Sequence, residues 1–564
     1  MSRATTTTAV PARPAAHCGS VERIRAIARA HPDLEAVISP DGKGEAGVPT
    51  YGRLTYRELD DWSDLLAQRF EEIGIRRGVR TLLLVTPGPE FYAIMIGLLK
   101  VAAVPVVIDP GMGLRPMLTC LKSVSPQAFI GISKAHLLRL VFRSSFATVG
   151  VKVTVGRKLW GGHSLRAWGR TPDRPVAASQ EAPADEVMMI AFTTGSTGPA
   201  KAVNLTHGNL AAMLDQVDDA RKRVPPETSL ITLPIFGVLD LMLGSRCVLP
   251  PIVPGEVGST DPAHVVDAIH RFDIRTMFAS PAVLVPLVRY AQTHDVRLPS
   301  VRSIYSGGAP VPDHAIAALR SILPAEAEVI AGYGSTEALP MSAIESRELL
   351  GEFVARAHAG AGTCIGRPAL GLEARVVGIT DEPIPTRSDE TAAGGIGEIV
   401  VAGPNVSTSY AWPEAANALG KIRDGDRTWH RTGDLGWIDE GGRIWFCGRK
   451  SQRVRTADGA LFTVQCEQIF NTVPEVFRTA LVGVRGDSDT RPVLCVELMP
   501  GVRKSERARI EEELRELGGQ SHTTDRIHDF LFHPGFPVDI RHNAKIGREK
   551  LTVWAASQLV KAER

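Results

Sequence analysis

Between about residue 20 and residue 450 the chain alternates short apolar bursts with longer stretches whose apolar positions recur every three or four residues. VRTLLLVTP (79–87), VPVVID (104–109), VMMIAFTT (187–194), IRTMFAS (274–280), VRSIYSGG (301–308) and EVIAGYG (328–334) have strand length, and most run into Gly, Ser, Thr or Pro. Helical periodicity falls between them, at 57–74, 89–103, 261–271 and 311–322. That alternation predicts α/β layers with largely parallel strands, and ligand sites at the loops beyond the strands' carboxyl ends. The most membrane-like run, FYAIMIGLLKVAAVPVVIDP (91–110), is interrupted by Lys100 and Pro105 and is short for a bilayer span. It reads as a buried helix followed by a buried strand, and no transmembrane helix is predicted.

The pattern changes after about 370. EARVVGI, GEIVVAG and RIWFCGR are short, turn-separated strands that predict an antiparallel subdomain. Beyond GRKSQRV a small α+β unit follows, with TALVGV and PVLCVELM as strands. Its helix, RKSERARIEEELREL, sets Ile510, Leu514 and Leu517 on one face. The tail GFPVDIRHNAKIGREKL is basic and irregular before it turns helical.

Composition narrows the class. At 564 residues the chain is long enough for two or more domains, and 44% hydrophobic with 22% charged is ordinary for a soluble protein. A net charge of +2 gives no bulk attraction to nucleic acid or membrane. The seven cysteines form no C-x-x-C pair, so they read as reduced cytoplasmic thiols rather than a disulfide framework or a zinc site. MSRATTTTAVPARPAAHCGS has no apolar core and reads as a disordered leader, residues 1–20.

FTTGSTGPAKAVNLTHGNL (192–210) follows the apolar strand VMMIAF. Glycines there permit close backbone approach, while hydroxyls, free N–H groups and Lys201 donate to phosphate oxygens. It is not a Walker loop. A plain Gly-Ser-Thr turn beside a surface lysine is the alternative. Four further motifs follow in order: YSGGAP at 305, GYGSTE at 332, RTGDLGWIDEGGRIWFCGRK at 431 and NAKIGREKL at 543. This ordered set resembles the adenylate-forming superfamily of acyl-CoA synthetases, adenylation domains and luciferases, over about residues 50–555.

The resemblance implies an N-terminal AMP-binding domain (21–450), a small mobile C-terminal domain (451–564), and ATP with Mg²⁺ between them. Thr193, Thr194, Gly195, Ser196, Thr197, Gly198 and Lys201 would form the loop over the β- and γ-phosphates. Gly307, Gly308 and Ala309 would wall the adenine, with Tyr333 stacking on it and Gly334 beside it. Glu337 would hold Mg²⁺, Thr336 would contact the α-phosphate region, Asp434 would accept the ribose hydroxyls, and Arg449 would reach ribose and phosphates. Lys545 would bridge substrate carboxylate and α-phosphate, stabilising charge as the carboxylate attacks phosphorus. The alternatives are a solvated carboxylate for Glu337, a core tyrosine for Tyr333, an Asx cap for Asp434 and a solvated tail lysine for Lys545. Pro199, Ala202 and Ala544 depart from the family's usual motifs.

Ser451 and SQRVR replace the usual hinge signature of enzymes that pass the acyl group to CoA. AGAGTCIGRP at 359, WFCGRK at 445 and HPGFPVDIRHNAKIGREKL at 533 are instead similar to β-lactone synthetases of bacterial long-chain olefin biosynthesis. That resemblance implies adenylation of a 2-alkyl-3-hydroxy fatty acid, then displacement of AMP by the substrate's own 3-hydroxyl. It also implies assembly with thiolase-like, reductase or β-lactone decarboxylase enzymes. A long-chain fatty acyl-CoA or fatty acyl-AMP ligase, and a silent nucleotide-binding relative, remain as alternatives. Phe236, Leu239 and Met242 are candidates for the alkyl site, with Gly237 opening room among them. His207 and His542 are candidate bases by location alone.

Overall fold

The computed structural model describes residues 19–44, 47–172, 182–193, 200–221, 226–252, 257–309, 311–386, 395–485, 490–538 and 546–562. Two large sheets sandwiched by helices make up most of it, an α/β fold with a smaller C-terminal domain. In one sheet the strands run Arg367–Pro368, Ala338–Glu345, Glu328–Ser335, Ser303–Ser306, Thr276–Phe278, Thr228–Ile231, Arg246–Val248, Glu35–Lys43 and Pro49–Thr55. Its interior is parallel and its edges antiparallel. The other runs Tyr410–Trp412, Ala202–Thr206, Val187–Phe192, Val104–Val107, Arg80–Leu84, Ala128–Ile132, Val151–Val155 and His163–Ser164. All six expected strands form, most of them slightly shorter than their apolar runs.

The run at 91–110 is a helix, Pro89–Lys100, and then the strand Val104–Val107. From Phe91 to Lys100 every residue of the helix is buried, which removes any amphipathic face. Lys100 survives there because its ammonium lies 2.6 Å from both Asp60 and Asp64 on the helix Tyr56–Glu72. Burying a charge is tolerated when it is paired in this way. Thr55 and Glu58 form a capping box that starts the Tyr56–Glu72 helix. Among the described residues no helix is long and apolar enough to cross a membrane.

The late strands form the expected antiparallel sheet, with Arg427–Ile438 flanked by Ile444–Arg449, Gly397–Ala402 and Lys421–Asp424. In the C-terminal unit Val476–Arg485 pairs antiparallel with Thr490–Leu498, which also pairs in parallel with Asp529–Phe532. Ile510 and Leu514 of the helix Arg507–Gly519 are fully buried against them, and Leu517 is partly so. The AGAGTC segment contributes to the contact between the two parts, where Gln465 donates to the Gly360 carbonyl at 2.9 Å and Gln468 to Thr363 at 2.9 Å; Arg453 and Arg455 also pair with Asp381. Gly360 has φ +90°, and a Cβ there would sit 3.1 Å from Ile469.

Candidate active site

The expected phosphate loop leaves the carboxyl end of the strand Val187–Phe192 and returns as Ala202–Thr206. Thr194, Gly195, Ser196, Thr197 and Gly198 lie outside the described residues, as do Lys545 and His542. The loop's base is described. The Thr193 N–H donates to the Lys201 carbonyl at 2.9 Å, and the Lys201 N–H donates to the Thr193 hydroxyl at 3.0 Å. That reciprocal pair pins the two ends of the loop together. The Lys201 ammonium rests 5.1 Å from the centre of the Tyr410 ring.

Thr336 and Glu337 form the tip between the antiparallel strands Glu328–Ser335 and Ala338–Glu345. Glu337 is buried, and its carboxylate accepts from the Tyr410 hydroxyl at 2.9 Å. Burial works against its ionisation. His430, Ser335, Lys421 and Tyr410 more than offset that, and hold its pKa at about 2. Glu337 is therefore a structured, ionised carboxylate, not a solvated one.

Lys421, His430 and Tyr410 were not anticipated from sequence. Lys421 and His430 face each other across neighbouring strands, both buried, and the Lys421 ammonium donates to the Ser407 carbonyl. Burial, assisted by Lys201, lowers Lys421 to about 7 despite the opposing pull of Glu337. Neither Lys421 nor His430 carried a sequence signal, because in the strand pattern they lie on the face opposite the apolar pair Ile422 and Trp429.

Asp434 is 3% exposed, and both its oxygens are engaged: Tyr333 donates its hydroxyl to one, and Arg449 Nε lies 3.0 Å from the other. Asp434 and Arg449 are register partners on adjacent strands, so the pairing is set by the sheet. The Asp434 N–H also donates to the Thr432 hydroxyl at 3.0 Å. The Asp434 carboxylate raises Arg449 above its ordinary value. Gly307, Gly308 and Ala309 follow directly on the strand Ser303–Ser306. Gly308 takes φ +88°, and a Cβ on Gly334 would sit 2.8 Å from Leu339.

Phe236 and Leu239 line a narrow cavity of about 30 Å³ together with Phe278, Tyr305 and Leu339. That space holds a water or two, so an alkyl chain must displace side chains to enter. Met242 does not line it; it is fully buried in the core on another side of the same helix, Pro234–Met242. Gly237 opens no room for a chain either. A Cβ there would lie 2.2 Å from the Tyr92 hydroxyl, so the missing side chain is filled by Tyr92. His207 opens the helix His207–Arg221, and burial lowers its pKa.

The segment carrying Lys545 is held at both ends. Val538 bridges Ile546, and the Gly547 N–H donates to the Pro537 carbonyl at 2.7 Å. Arg548 then makes a two-pronged pair with the buried Glu467, at 2.6 and 2.8 Å.

Residues 24–411 match the family described as AMP-binding enzyme. The chain is 43% identical over 553 residues to the olefin beta-lactone synthetase of Xanthomonas campestris pv. campestris, covering 96% of this chain and 98% of that one. It is also 43% identical to that of Stenotrophomonas maltophilia, covering 96% and 99%. The fold is similar to the amide bond synthetase McbA from Marinactinospora thermotolerans, with TM-score 0.77, 21% identity, and 95% and 99% covered. It is also similar to o-succinylbenzoate CoA synthetase (MenE) from Bacillus subtilis solved with ATP and magnesium ion, with TM-score 0.70, 19% identity, and 94% and 98% covered.

Proposed function

The chain belongs to the AMP-binding enzyme family, and we propose that it is an ATP-dependent β-lactone synthetase acting on 2-alkyl-3-hydroxy fatty acids. The observation that carries this reading is 43% identity, sustained over nearly the whole length of both chains, to olefin beta-lactone synthetases. The carboxylate attacks the α-phosphorus of ATP and pyrophosphate leaves. The 3-hydroxyl oxygen then bonds to the acyl carbon, the bond to AMP breaks, and the hydroxyl proton passes to solvent or to the departing phosphate. Holding hydroxyl and acyl carbon close makes the second step intramolecular.

Residues 21–450 would bind the nucleotide, and the small domain, 451–564, would deliver Lys545. Thr193 and Lys201 hold the base of the phosphate loop. Asp434 meets the ribose by exchanging its Tyr333 contact for ribose hydroxyls, with Arg449 alongside, and Tyr333 then faces the adenine next to Gly307, Gly308 and Ala309. Lys545 neutralises charge where carboxylate meets phosphorus.

Glu337 fits Mg²⁺. Among the described residues no group of three or more metal-binding side chains exists, and Mg²⁺ is commonly held by one or two carboxylates plus substrate phosphates. A single buried, ionised carboxylate, bonded to the Tyr410 on which Lys201 rests, supplies that share. When bound, the ion would neutralise phosphate charge and orient the leaving pyrophosphate.

The six described cysteines are all free and buried, which suits a reducing cytoplasm. The strained lactone suits hand-over to a decarboxylating enzyme, with thiolase-like and reductase enzymes supplying the hydroxy acid. The test combines purified protein, ATP, Mg²⁺ and a synthetic 2-alkyl-3-hydroxy acid without CoA, with NMR of the lactone ring protons. Lactone and AMP should appear together and be lost in Lys545→Ala. Turnover only on addition of CoA would refute the reading and leave an acyl-CoA ligase.

A further inference from the structure

The cavity beneath the helix Pro234–Met242 is apolar over most of its wall, but two polar groups border it: Tyr305 and Arg221. Arg221 is buried and paired with Asp240, so its charge is already answered. The Tyr305 hydroxyl is buried and has no hydrogen-bond partner among the described residues. An unpaired buried hydroxyl costs free energy that a bound polar group recovers.

The ring carrying it is held in place. Phe236 stacks on Phe278 with centres 3.9 Å apart, and Phe278 stacks on Tyr305 at 5.9 Å. Tyr305 lies two residues before Gly307, and a Cβ on Gly332 would sit 2.6 Å from its hydroxyl oxygen. The hydroxyl therefore lies beside Gly332, near the strand ends that carry Gly307 and Tyr333, on the border of the cavity that Phe236 and Leu239 line. Burial pushes its pKa to about 12, against a smaller opposing pull from Arg221, so it remains a donor at neutral pH.

We propose that the Tyr305 hydroxyl recognises the substrate's 3-hydroxyl, donating to its oxygen and fixing it beside the acyl carbon. This rests on the lactone-forming reading above. It makes Tyr305 a specificity-determining residue, because an acid without the 3-hydroxyl leaves the phenol unpaired in an apolar wall. A site built to bond a hydroxyl rejects the analogue that lacks one far more strongly than a greasy pocket rejects a missing methylene.

The experiment compares kcat/KM for ATP–pyrophosphate exchange with a 2-alkyl-3-hydroxy acid and with its 3-deoxy analogue, in wild type and Tyr305→Phe. Wild type should prefer the hydroxy acid about 10- to 100-fold, the worth of one buried hydrogen bond. Tyr305→Phe should abolish that preference by lowering the hydroxy-acid value, with neither the deoxy-acid value nor the thermal midpoint lowered. A preference that survives in Tyr305→Phe, or a wild type without one, would overturn the assignment and leave the hydroxyl a water-binding group. Lactone measured in the same wild-type reactions separates this from the proposed function. Preference lost in the variant, with no lactone formed by wild type, would sink the lactone reading while the recognition stands.

Discussion

Replacing Arg548 by Met tests whether the buried ion pair with Glu467 anchors the chain next to Lys545, beyond the backbone contacts of Val538 with Ile546 and of Pro537 with Gly547. Arg548 donates to both oxygens of Glu467, at 2.6 and 2.8 Å, and to the Leu481 carbonyl at 3.2 Å. The side chains are only 12% and 8% exposed. In Arg548→Met, Glu467 keeps one donor, the Leu481 N–H at 2.8 Å. Burial already raises the Glu467 pKa, and losing the guanidinium raises it further. Breaking such a pair from one side costs about 3–5 kcal/mol, whereas replacing both partners with apolar groups is often neutral. Hydrogen exchange of the strands Val476–Arg485 and Thr490–Leu498 should therefore quicken by about a hundredfold or more in Arg548→Met. It should recover in the double variant Arg548→Met with Glu467→Leu. ATP–pyrophosphate exchange should stay at least about tenfold low in both, because neither anchors the chain three residues from Lys545, whose proposed charge on the transition state would be displaced. Full activity in the double variant would refute the anchoring role. Unchanged exchange protection in Arg548→Met would refute the energetic argument.

Gly237→Ala should destabilise the protein by about 1–3 kcal/mol through overpacking against Tyr92, and Tyr92→Phe should recover part of that in a thermal melt. No recovery would mean that the helix shifts instead. His430 is held near pKa 3 by burial first and then by Lys421, against an unfolded value of about 6.5. Below about 6.5 the unfolded chain takes a proton the folded chain refuses, so stability falls as pH drops toward 3. At pH 5 the loss is about 2 kcal/mol, and His430→Gln should flatten that part of a denaturation-against-pH profile. Asp434→Asn should raise the KM for ATP with a smaller effect on kcat, because Arg449 and Tyr333 lose their shared anion; equal losses in both would contradict a binding role.

The strands and helices were legible because each large sheet is fed by apolar runs of strand length, and turn residues end them. The residues that break the pattern were harder. The strand Ala338–Glu345 begins at the two-residue turn of Thr336 and Glu337, and nothing in its alternation marks it as antiparallel beside strands that run parallel. Likewise Lys100 argued only against a membrane span, and nothing near it showed how a charge could sit inside a buried helix; its partners are Asp60 and Asp64, some forty residues earlier. Charge pairing across distant elements has no local signature, so such lysines cannot be placed by periodicity.

The candidate site divides along the same line. Its motif residues were readable one by one, since the residue types of each motif suit phosphate, ribose or metal. The supporting shell was not, because it is assembled from different strands: Tyr410 on Glu337, Lys421 opposite His430, Tyr333 and Arg449 on Asp434. The acyl side was least legible of all. Gly237 suggested open space, but the space was taken by a tyrosine from a helix more than a hundred residues earlier. A vacancy in sequence is only a vacancy in space if no other element claims it. Within this fold, specificity is therefore to be sought in side chains such as Tyr305 that remain unpaired after packing is complete, and not in glycines that packing has already used.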